Sequence, residues 1–203
     1  MKKLTSKLVV VGIMCTILLA LGSCRKKEVP AAPTNLNTEV YDEGIRLSWN
    51  NVRNCDFYRI SVGFQIRNEV NELLNDTYEV VLCETTSVAY EDKHPFEGMN
   101  YYKVEAVNDY GSSTGTVSCY YPINEDMNLY PNLTIDNVMI EANQMNRVKI
   151  FDLDGKTLVD LGLNSDISSL FLSELEAGVY LMQVYAEDGE FFKRFVKVNG
   201  IRK

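Results

Sequence analysis

Beyond Leu36 the chain is a succession of short runs in which apolar and polar residues take turns, and none of helical length repeats with the helical period. Ile45, Leu47 and Trp49 alternate with Arg46 and Ser48, and the run 101–107 alternates over seven residues. The runs 57–62, 78–83, 86–90 and 117–121 share this β-rich character, and Leu36, Asn37 and Thr38 add one more. Strand side chains point to opposite faces in turn, so such runs bury one face and wet the other. Gly, Asn and Asp cut the runs apart, as turns require. The expectation is an all-β protein of two tandem β-sandwiches.

The N-terminus follows a different rule. Lys2, Lys3 and Lys7 precede an apolar stretch at 8–21, broken only by Gly12 and Thr16. That stretch is shorter than the ~20 residues a spanning helix needs and fits a signal-peptide core. It ends in Leu21-Gly22-Ser23-Cys24, which resembles the lipobox of bacterial lipoproteins. The resemblance implies cleavage before Cys24, whose thiolate would take up diacylglycerol. Residues 1–23 are thus read as a lipoprotein signal peptide, Cys24 as the lipidation site, and 24–33 as a tether. The partner so implied is a membrane, reached through an N-terminal lipid.

Once the signal is removed, 17 Lys and Arg face 28 Asp and Glu over residues 24–203, a net charge of −11. Such a chain repels nucleic acid and anionic lipid surfaces. Its one basic cluster, Arg25-Lys26-Lys27, adjoins the lipid and suits contact with headgroups. Cys55, Cys83 and Cys119 remain. They allow at most one internal disulfide, with Cys55–Cys83 or three free thiols both open, so stability must come from hydrophobic cores.

Residues 34–122 resemble a fibronectin type III domain. Pro30-x-x-Pro33-x-Asn35-Leu36, Leu47-Ser48-Trp49, Phe57-Tyr58-Arg59-Ile60 and the run 101–108 with Gly111 and Ser112 carry the likeness. The resemblance implies an immunoglobulin-like sandwich with Trp49 central and Tyr101 as a tyrosine corner. Residues 64–77 are long for a tight hairpin. Val70, Leu73 and Leu74 fit a helical turn or an extended hairpin, serving as an edge lid or a partner-binding protrusion.

After a linker at 123–130, residues 131–203 are similar to the C-terminal sorting domain of type IX secretion. Tyr130-Pro131-Asn132, the hairpin of 148–156, the Leu-x-x-Gly-x-Tyr pattern ending in Gly178 and Tyr180, and the basic run 192–198 carry this likeness. No proline follows Asn132, and no glycine lies in 134–138. These departures, with the lipobox, favour a module kept for structure over a working signal.

Chemistry is sparse. His94 is the only histidine and precedes Pro95 in an expected solvated loop. No nucleophile motif accompanies it, so no catalytic residue is expected. One histidine and three scattered thiols do not make a four-ligand zinc site. Asp152 and Asp154 precede Gly155 and suit a hairpin turn better than a calcium loop. No glycine-rich phosphate loop occurs, and neither a cofactor nor a metal is expected. Tyr41, Tyr110, Tyr120, Tyr121 and Tyr130 fall near turns or the domain junction and would serve a glycan only if three shared a plane.

The expected function is a lipid-anchored, non-enzymatic envelope protein acting in adhesion, scaffolding or partner binding. A protein is the favoured partner, then a glycan. The alternatives are a glycan-binding accessory lipoprotein of a polysaccharide-uptake system, or type IX secretion cargo. Location at the outer membrane is expected, on the periplasmic face in preference to the cell surface.

Overall fold

The computed structural model describes residues 28–41 and 44–199. Cys24 lies outside them. The described residues form thirteen strands and no helix. None of them belongs to a helix long and apolar enough to cross a membrane.

The first seven strands are β1 (Asn37–Tyr41), β2 (Gly44–Ser48), β3 (Phe57–Arg67), β4 (Leu73–Thr85), β5 (Ala89–Asp92), β6 (Gly98–Asn108) and β7 (Gly111–Tyr121). They make a three-stranded sheet, β1-β2-β5, and a four-stranded sheet, β4-β3-β6-β7, with every pairing antiparallel. Ile45 and Leu47 from one sheet meet Ile60, Val62, Phe64, Val104 and Ala106 from the other in one core. The alternation read in the sequence decides these faces. Trp49 is buried there and stands edge-on to Tyr58, with ring centroids 5.3 Å apart.

Two expectations change, and at 64–77 one of the two stated alternatives is decided. Tyr101 is 43% exposed, while Tyr102 is fully buried and its hydroxyl donates to Asp92 Oδ2 at 2.8 Å. Parity explains the shift: Tyr102 shares its face with Val104 and Ala106. At 64–77 the extended hairpin forms, with Arg67 opposite Leu73 and a turn held by the Asn68 side chain, which accepts from the Val70 and Glu72 amides. The tether of 24–33 is shorter than expected. Pro30 and Pro33 are buried, and the Glu28 carbonyl accepts from Asn54 Nδ2 and Asn108 Nδ2. Proline suits this packed segment because it has no backbone N–H to leave unsatisfied.

The other six strands are β8 (Met127–Tyr130), β9 (Leu133–Thr134), β10 (Asn137–Phe151), β11 (Thr157–Phe171), β12 (Gly178–Ala186) and β13 (Gly189–Lys197). β8 lies inside the span read as a linker. It pairs with β10, because Met127 and Leu129 complete the second core. The sheet runs β11-β10-β12-β13-β9. β10 pairs with β8 over its first half and with β12 over its second, and its pairing with β11 shifts register between Glu141 and Met145. An extra residue at such a bulge bends the strand, which lets β10 and β11 serve two layers. Val148, Ile150, Met182, Val184 and Phe195 fill the space between.

The Asp152 carboxylate accepts from the amides of Asp154 and Lys156, and Gly155 takes φ +81°. That is hairpin-turn chemistry at the expected place.

A candidate site at the junction of the two sandwiches

β13 reads Phe191-Phe192-Lys193-Arg194-Phe195-Val196-Lys197. Phe191 and Phe195 point into the second core. Val196, one position on, belongs to the core of the first sandwich, with Leu133, Val179 and Val198 packed against it. Over residues 193–197 the strand therefore has both faces buried, each against a different sandwich.

Arg194 lies on the face turned to the first sandwich. Its Nη2 is 2.5 Å from Asp92 Oδ1 and its Nη1 is 3.0 Å from Asp92 Oδ2. Asp92 is fully buried and the Arg194 side chain is 6% exposed. The guanidinium carbon also sits 5.4 Å from the centre of the Phe96 ring, which stacks on Phe64. Burial alone would lower the Arg194 pKa, but the Asp92 charge and its hydrogen bonds outweigh that and raise it. Burial, the Asp92 charge and the bond to it hold the Tyr102 hydroxyl far above its ordinary range. Both groups keep their protons, and Asp92 receives three hydrogen bonds.

Around this pair the contacts are also intramolecular. Lys193 Nζ bonds the Asn124 carbonyl at 2.8 Å and meets the Glu97 carboxylate. Burial pushes the Lys193 pKa down, against the pull of Glu97. The Asn132 side chain accepts from the Arg67 amide at 2.7 Å and donates to the Gln65 carbonyl at 2.9 Å. The terminal strand and the β8–β9 connection thus both grip the first sandwich. Beside them opens a groove of about 1100 Å³, where the His94 ring stacks on Phe192 at 5.0 Å.

His94 occupies the expected loop but is half-buried against the second sandwich, not solvated. Glu97, the acid of the same loop, is taken up by Lys193 and the Asn124 amide. Cys55, Cys83 and Cys119 are half-buried thiols that form no disulfide with one another. Burial raises the Cys83 thiol further from ionisation. The five tyrosines are spread over the chain's surface elements: Tyr41 and Tyr121 line the groove, Tyr110 sits at the β6–β7 turn, Tyr120 is exposed on β7, and Tyr130 is in β8. No cluster of three metal-binding side chains occurs among the described residues.

Sequence reasoning missed Asp92, Arg194, Glu97, Lys193 and Asn132. The available signal was the pair Lys193-Arg194 embedded in an apolar run, which demands buried partners. Nothing in the sequence names a partner about a hundred residues away.

Residues 128–198 match the secretion system C-terminal sorting domain. The match spans β8 to β13 and points to a cell-envelope or secreted protein. None of the curated proteins matches the chain. Among solved structures, a chain described as "Biofilm associated protein - BSP domain" aligns over 86% of this chain at 10% identity, with a TM-score of 0.29. This chain spans 30% of the length of that one.

Proposed function

We propose that this protein is a lipid-anchored cell-envelope module, without catalytic activity, whose two sandwiches form one platform for adhesion or for a partner protein. The first sandwich is read as fibronectin type III-like, and Cys24 as the lipid-bearing residue. The observation that carries this reading is β13, whose two faces are buried in two different cores. The charged side chains best able to do chemistry at the junction, Asp92, Arg194, Glu97 and Lys193, are spent on holding it together. That is the arrangement of a scaffold.

Cys24→Ala tests the anchor. The variant should lose lipid labelling and leave the membrane fraction, and a variant that still carries lipid sinks the assignment. The proposed location is the outer membrane, on its periplasmic face.

A second reading, export as secretion cargo, is favoured by the match over 128–198. The burial of Lys193 and Arg194 against the first sandwich argues for retention as a structural module instead. Protease shaving of intact cells separates the two. Cargo would lose surface exposure in cells lacking the secretion machinery, whereas a scaffold on the periplasmic face resists shaving in both backgrounds.

A further inference from the structure

The position of Glu28 fixes which end of the protein meets the lipid. Its carbonyl is held by Asn54 and Asn108, so the chain enters at the pole formed by the β2–β3 loop and the β6–β7 turn. Val29 continues this anchoring: a methyl group placed on Gly111 would lie 3.1 Å from its Cγ2. β3 starts at this pole with Phe57 and ends at the junction with Arg67, while β6 runs back from Gly98 to Asn108. Eleven residues of strand separate the two poles by roughly 35 Å. Counting from Cys24 to Glu28, the chain reaches at most about 14 Å even fully extended.

From these lengths we propose that the β2–β3/β6–β7 pole is a membrane-contacting surface, resting on the phospholipid headgroups of the leaflet that carries the anchor. The proposal rests on lipidation at Cys24. The pole offers the right groups. Tyr110 is 50% exposed and Val29 45% exposed, and Arg53 is exposed beside them. Tyrosine suits the boundary between apolar chains and water, and arginine pairs with phosphate. Arg25, Lys26 and Lys27 adjoin the pole in sequence. Charge does not single out the pole, where Glu28, Asp56 and Asp109 accompany Arg53; the entry point at Glu28 and the short reach of the chain before it do. The sandwich therefore stands upright, with the junction groove and the second sandwich held away from the bilayer.

The test uses the lipidated full-length chain in phosphatidylethanolamine–phosphatidylglycerol vesicles containing a nitroxide-headgroup lipid. Tyr110→Trp places a fluorescent reporter at the pole, and Leu161→Trp places one on β11, an edge strand of the second sheet three places from β13. The unsubstituted protein supplies the Trp49 background. The reporter at position 110 should be quenched several-fold more than the reporter at position 161, and Arg53→Glu should reduce that difference. Equal quenching, or none at position 110 while the protein floats with the vesicles, overturns the docked pole and leaves the anchor intact. A lipid-labelling-negative protein that does not float overturns the anchor reading and the proposal together.

Discussion

Arg194 and Asp92, 102 positions apart in the chain, meet in a two-pronged contact of 2.5 and 3.0 Å inside the junction. Replacing one partner strands the other charge where water does not reach it, a loss of about 3–5 kcal/mol. Arg194→Ala should therefore lower the urea midpoint of both sandwiches. Arg194→Met with Asp92→Leu should recover a large part of the loss. A single variant as stable as the parent would show that the pair does not hold the junction.

The exchange of Tyr101 for Tyr102 as the buried tyrosine gives a clean comparison. Tyr102→Phe removes a hydrogen bond to a charged, buried acceptor and should cost about 1.5–3 kcal/mol in a denaturant titration. Tyr101→Phe, at an exposed position, should be neutral within about 0.5 kcal/mol. Equal effects would contradict the assigned faces.

High pH should act through the same hydroxyl. Burial first, and then Asp92, raise the Tyr102 pKa above its ordinary 10.0. A raised folded pKa stabilises fully below the unfolded value, and the benefit is lost as pH climbs from there toward the folded value. Stability should fall above about pH 10, by up to about 1.4 kcal/mol per pH unit for this group. Urea midpoints from about pH 9 to about pH 11 check this, and Tyr102→Phe should flatten the slope.

Gly44 passes so close to the backbone of Asp92 that an added Cβ would lie 2.0 Å from its carbonyl oxygen. Backbone cannot yield as a flexible side chain does. Gly44→Ala should displace β5 and weaken the Asp92–Arg194 contact, costing about 1–3 kcal/mol by overpacking. Thermal unfolding that matches the parent would show that the β2–β5 edge relaxes freely.

What the sequence disclosed and what it concealed divide along one physical line. Period-two alternation gave the strands and the all-β class, because it is a local property of runs such as Ile45-Arg46-Leu47. The same local rule, applied to Val104 and Ala106, would have selected Tyr102 over Tyr101. The burial of Pro30 and Pro33, the pairing of β8 with β10, and the Asp92–Arg194 bridge depend on segments distant in the chain. Local patterning carries no trace of them. An apolar strand with both faces covered, like β13, also does not alternate, so its double burial read only as a basic terminal strand.

The central claim is that β13 makes one folding unit of two sandwiches, and the single Trp makes it measurable. Trp49 reports on the first core, while amide exchange over residues 178–197 reports on the second. In a urea titration of residues 24–203, the two probes should share one midpoint. Two separated transitions, with the second sandwich unfolding while Trp49 stays buried, would contradict the account.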